Sequence, residues 1–141
     1  MPAQVKGLPR LKPKNYSLTS PETDDYNCIG WAAGDDDRWW WPRFPYFWPQ
    51  GIPTETTVEA FAVAFATMGY KKCDSGALDP NVEKVAIYTK DGQVTHMARQ
   101  LSSGKWTSKL GESYDIEHDT PVAVTGGAYG IVAQFLCRPK S

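Results

Sequence analysis

Apolar positions along this chain repeat with two different periods, and the change between them predicts its layout. Val58, Phe61, Ala62, Phe65 and Met68 recur at three- and four-residue spacing up to Gly69, the mark of a helix with one buried face. Thr56-Thr57-Val58-Glu59 supplies the S/T-x-x-E spacing of a capping box in front of it. From Glu83 the period shortens. Val85-Ala86-Ile87-Tyr88-Thr89 and Gln93-Val94-Thr95-His96-Met97 flank Asp91-Gly92, a pair suited to the positive φ of a hairpin turn. Ser103-Gly104 marks a second turn before Lys105-Trp106-Thr107-Ser108-Lys109-Leu110, so the pattern predicts three antiparallel strands in a meander. Thr120-Pro121 opens a short helical turn, and the alternation from Tyr129 to Leu136 predicts a final strand.

The remaining segments are set by proline, glycine and aromatic content. Tyr26 to Gly34 is a short apolar run after Asp24 and Asp25, which are suitable N-caps; it predicts a short helix with Cys28 near its start and Gly34 near its end. Pro2, Pro9 and Pro13 keep residues 1–15 out of helix, so this stretch is expected to be an extended arm over the surface. Residues 16–141 are expected to form one domain. Between Arg38 and Pro49 the aromatics Trp39, Trp40, Trp41, Phe44, Tyr46, Phe47 and Trp48 are broken by Pro42, Pro45 and Pro49. Such a loop packs rings over a core, and here it is also expected to wall a substrate cleft with Trp39, Trp40, Trp41 and Trp48. The element order describes an α+β domain with helices on one side of an antiparallel sheet.

Composition narrows the function classes. The 141 residues suit one compact domain, and 15 basic against 16 acidic side chains leave a net charge of −1. No excess positive field is available for a nucleic-acid backbone. The apolar run Ala60 to Ala66 is far shorter than the ~20 residues of a membrane span, and no apolar segment follows the N-terminal lysines as a secretory signal requires. A cytoplasmic location, or export without a cleaved signal, is the expectation. Three cysteines, Cys28, Cys73 and Cys137, with no CxxC pair argue against a disulfide framework or a thiolate zinc site.

Candidate chemistry centres on two rare residues. Only His96 and His118 can shuttle protons near neutral pH. A nucleophilic cysteine needs a helix N-terminus and a nearby imidazole; Cys28 meets the first condition and His96, on a predicted central strand, is placed to meet the second. Each has an ordinary reading taken alone, a buried small hydrophobe and a satisfied strand histidine. A competing set, Asp115, Glu117 and His118 with His96, has the donor types of a divalent-metal site, but Tyr114 to Asp119 reads as a polar loop and no paired helical ligands support it. No metal and no cofactor are expected.

Tyr16, twelve residues ahead of Asn27-Cys28-Ile29-Gly30, together with the strand Thr95-His96-Met97-Ala98-Arg99-Gln100-Leu101 and the following Trp106-Thr107-Ser108-Lys109, resembles the nucleophile and histidine regions of papain-like, NlpC-type cysteine hydrolases. Tyr-Asn-Cys, Trp-Trp-Trp-Pro, Trp-Thr-Ser-Lys-Leu-Gly and Asp-Ile-Glu-His also resemble a family of small uncharacterised bacterial domains. The first resemblance implies a papain-like α+β fold and a Cys28–His96 pair. It also implies a third polar residue orienting the imidazole. Ser108 stands at the matching position but carries no charge, while Asp115 is chemically the better partner for an imidazolium; both remain candidates. The implied activity is a cysteine-dependent amide hydrolase (peptidase, amidase or deamidase) acting on a peptide or protein substrate, in the setting of a bacterial effector toxin. The alternative is an inactive scaffold that works as a protein-binding or immunity module, with the aromatic loop facing a cognate protein partner.

Overall fold

The computed structural model describes residues 7–12, 14–110 and 114–140; the expectations for residues 1–6 and 13 of the arm lie outside them. In chain order the elements are β1 (Tyr16–Ser20), α1 (Cys28–Ala32), α2 (Val58–Ala66), β2 (Lys71–Cys73), β3 (Val82–Lys90), β4 (Gln93–Gln100), β5 (Trp106–Lys109) and β6 (Asp115–His118). A 3-10 turn at Pro121–Val124 and β7 (Ile131–Pro139) complete the chain. One seven-stranded sheet with the order β1-β6-β5-β4-β3-β7-β2 joins every strand, and each neighbouring pair is antiparallel.

This corrects the papain-like expectation. The helices are only five and nine residues long, so the molecule is a β-rich fold rather than helices packed against a sheet in the papain-like manner. Three strands account for the difference. β1 and β6 occupy segments that look polar, and β2 is a three-residue edge strand with no apolar alternation. Their partners create them: β6 is ordered between β1 and β5, where its backbone groups are paired on both sides.

The sheet is buried on both faces. Along β3, Val85 and Ile87 enter one core with Cys28, Ile29, Phe61, Phe65 and Met97, while Ala86 and Tyr88 enter the other with Leu8, Leu11, Trp106, Ile116 and Val124. Two-faced burial explains why Val85 to Tyr88 reads as an unbroken apolar run. Leu8 and Leu11 of the expected arm are core residues at 3% and 0% exposure, so this part of the chain covers the second face.

Both helices start later than their caps suggested, α1 by two or three residues and α2 by one. Asn27, not Asp24 or Asp25, caps α1: its Oδ1 accepts from Gly30 N at 3.0 Å and from Trp40 N at 3.0 Å, and its Nδ2 donates to Trp40 O at 2.8 Å. The cap therefore also ties down the aromatic loop. The C-terminus closes as a Schellman motif, with Gly34 at φ +83° and hydrogen bonds from Gly34 N to Trp31 O and Asp35 N to Gly30 O. α2 is capped by Thr57, whose Oγ1 accepts from Ala60 N at 3.2 Å. Glu59 is thus one position too early for a capping box and instead pairs with Lys72 on β2.

Candidate functional site

Strand β4 carries the centre of the site. Its ladder with β5 contains only Arg99↔Thr107 and Gln100↔Trp106, so the two strands separate before His96 and Met97. Helix α1 packs over this separation, touching both β4 and β5. Cys28, its first residue, is 8% exposed and receives the backbone N–H of Met97 as well as those of Ile29 and Cys28 itself. Burial outweighs these donors and the nearby Lys109 charge, and pushes the thiol up to about 11.

His96 lies on the same strand, fully buried, with its ring stacked on Tyr129 at 3.9 Å and edge-on to Tyr88 at 5.2 Å. Its Nε2 is 2.9 Å from Ser108 Oγ, Ser108 Oγ is 2.7 Å from His118 Nε2, and His118 Nδ1 is 2.8 Å from Thr120 O. These distances dictate one proton arrangement. Burial lowers the pKa of His118 to about 4 and that of His96 well below its ordinary value, so both rings are neutral at pH 7. A carbonyl only accepts, so His118 Nδ1 carries the hydrogen and its Nε2 is an acceptor. Ser108 therefore donates to His118 and accepts from His96 Nε2–H. The chain leaves His96 Nδ1 as a bare lone pair, and this atom is buried with no hydrogen-bond partner.

Strand pairing decides between the two residues considered for orienting His96. Ser108 lies opposite Ile116, and Trp106 opposite His118, so these four share the face on which His96 meets Tyr88. Asp115 lies opposite Lys109 on the other face. There Asp115 Oδ2 accepts from the Tyr26 hydroxyl, and burial followed by this bond raises the phenol pKa to about 12. Asp115 is thus a partner of Tyr26, not of His96. The same alternation separates Asp115 and Glu117 from His118 and His96, and among the described residues no three His, Cys, Asp or Glu side chains form a metal site.

The tryptophans divide. Trp40 is core at 5% exposure, with Nε1 donating to Asp35 at 2.9 Å. Trp41 and Trp48 meet Phe61 edge-on, closing the first core from outside. Trp39 alone stacks on the exposed Tyr46, at 5.6 Å, beside the fully displayed Phe44. Tyr129 was missed by sequence reasoning, and His118 was grouped with His96 only as a metal ligand, not as the far end of its hydrogen-bond chain. The signal for His118 was available, since it is one of only two histidines.

Residues 17–137 match the protein family described as "Domain of unknown function (DUF7689)". The chain belongs to this family. No curated protein matches, and no solved structure matches. Among the described residues of this DUF7689 domain, no helix is long and apolar enough to cross a membrane.

Proposed function

We propose that this domain is a cysteine-dependent amide hydrolase in which Cys28 is the nucleophile and His96 the general base. The supporting observation is the lone pair on His96 Nδ1. A buried acceptor without a partner costs about 1–3 kcal/mol; among the described residues only His96 Nδ1 and Asp115 Oδ1 are in this position, and a proton-accepting role accounts for the first. Cys28 packs in the first core beside Met97, while the neighbouring His96 turns to the Tyr88 face, so in this reading thiol and base must meet through the opening between β4 and β5.

In this reading the resting pair is neutral. A thiol near 11 beside a depressed imidazole does not ionise spontaneously, so Sγ loses its proton to His96 Nδ1 as it attacks the carbonyl carbon. Ser108 keeps hold of Nε2–H during the transfer and fixes the ring plane. The N–H groups of Cys28 and Ile29, which lie beside Sγ at rest, are the nearest donors for the developing oxyanion once Sγ has bonded to carbon. Collapse of the tetrahedral adduct breaks the C–N bond, the amine leaves with the proton from Nδ1, and water activated by the same nitrogen hydrolyses the thioester.

A second reading, a binding module without turnover, is favoured by the thiol's burial and raised pKa. The two separate with p-nitrophenyl acetate as a small acyl donor. The hydrolase releases a burst of p-nitrophenol equal to the protein present and carries an acetyl group on Cys28 by mass spectrometry; Cys28→Ala and His96→Gln lose both. A folded parent protein acetylated no faster at Cys28 than at Cys73 refutes the hydrolase.

A further inference from the structure

Beyond the C-terminal end of α1 lies a cavity of about 440 Å³ that the chemistry above does not use. Three cations, Arg99, Arg138 and Lys140, face one carboxylate, Glu83. Glu83 is consumed by Arg138, whose Nε and Nη2 both reach Oε2 at 2.8 Å, and the remaining Nη1 donates to Met68 O at 2.9 Å. Arg99 is placed differently. Its guanidinium lies over the Trp31 ring at 5.1 Å and its Nε donates weakly to Trp31 O at 3.4 Å. Among the described residues neither Arg99 nor Lys140 has a carboxylate partner.

A solvated surface arginine would be the ordinary explanation, but two features oppose it. Arg99 is half-buried and stacked, so its fork is held in one orientation before anything binds. Tyr70, in the cavity wall at 4% exposure, has a hydroxyl with no hydrogen-bond partner among the described residues. The Arg138 guanidinium lies over the Tyr70 ring at 4.6 Å and holds Glu83 at 2.8 Å, which puts the phenol beside this ion pair. A residue with a planar fork, one with a free hydroxyl donor and one with an ammonium line a volume suited to a small molecule.

We propose that this cavity binds a small anion through a carboxylate or phosphate group, with the Arg99 fork and the Tyr70 hydroxyl as its main donors and Lys140 as a supporting charge. Arg138 positions rather than binds, because Glu83 and Met68 O already occupy its donors. Planar donors paired with two-oxygen acceptors give the strongest charge-assisted hydrogen bonds, which is why these two ligand classes fit.

Isothermal titration of the Cys28→Ala protein with inorganic phosphate and, separately, with succinate tests the site independently of any thiol chemistry. Saturable binding of either probe is expected, weakened roughly tenfold by Arg99→Gln and several-fold by Tyr70→Phe, while Lys90→Gln at an exposed strand end leaves it unchanged. Preference for one probe identifies the ligand class. Absence of saturation for both overturns the proposal, and so does parental affinity in Arg99→Gln. Should that variant fail to fold, the near-isosteric Tyr70→Phe decides: parental affinity there overturns it.

Discussion

Each polar residue behind His96 has one hydrogen-bonding role it can play, because Thr120 O can only accept and this choice propagates through His118 and Ser108. Ser108→Ala breaks the chain in the middle and strands two buried ring nitrogens; a loss of about 2–4 kcal/mol is expected from urea denaturation. Cys28→Ala, by contrast, removes a small buried thiol and costs less than about 1.5 kcal/mol in the same assay. The pH dependence follows from His118. Its folded pKa, about 4, lies below the unfolded value near 6.5, so its contribution is complete above pH 6.5, shrinks as pH falls and is gone by pH 4. Unfolding free energy between pH 7.5 and 4.5 should therefore drop, by up to about 3 kcal/mol from this residue, and a His118→Gln protein that still folds should lose this share while keeping that of His96, whose pKa is also depressed. At the thiols, maleimide mapping at pH 7 is expected to label the partly exposed Cys73 and Cys137 before Cys28.

Helix α1 illustrates how an element of five residues holds its position. Isolated helices of this length do not persist in water, so its ends and contacts must supply the stability. Asn27 joins the N-terminus to the aromatic loop with three hydrogen bonds, and Gly30 lets that loop approach. A Cβ at Gly30 would meet Arg38 O at 2.7 Å, whereas one at Gly34 would meet nothing within 4 Å and suffer only its φ of +83°. Gly30→Ala should therefore cost more than Gly34→Ala, about 2–3 against about 1 kcal/mol, as measured by thermal melts. Cap and close approach were both present in Asn27-Cys28-Ile29-Gly30, but the cap assignment to Asp24 or Asp25 went astray because several acceptors precede the apolar run. At α2 the same ambiguity arises from adjacent threonines, where Thr57 rather than Thr56 is the cap.

At the level of the molecule, stability is concentrated in the middle of the sheet. β3 and β4 are flanked on both sides and buried on both faces, while β1 and the three-residue β2 form the edges. Hydrogen exchange read by mass spectrometry should show the slowest amides in Val85–Tyr88 and Met97–Ala98 and early exchange in Lys71–Cys73. Uniform protection across all strands would contradict this ordering. The α2 helix and the β3–β4 hairpin were legible in the sequence because local periodicity and the Asp91-Gly92 turn encode them, and Asp91 and Gly92 do adopt positive φ. β6 was not, since Asp-Ile-Glu-His gains strand character only by lying between two other strands.

The sequence alone determined which residues carry proton chemistry, where the chain turns, and that Cys28 begins a helix. Those properties depend on residue type and on neighbours within a few positions. Tertiary structure decided the β-rich architecture, the choice of Ser108 over Asp115 beside His96, and the grouping of Arg99 with Tyr70. Each depends on strand register, and a shift of one residue exchanges the faces of a sheet, a choice made by contacts between segments far apart along the chain.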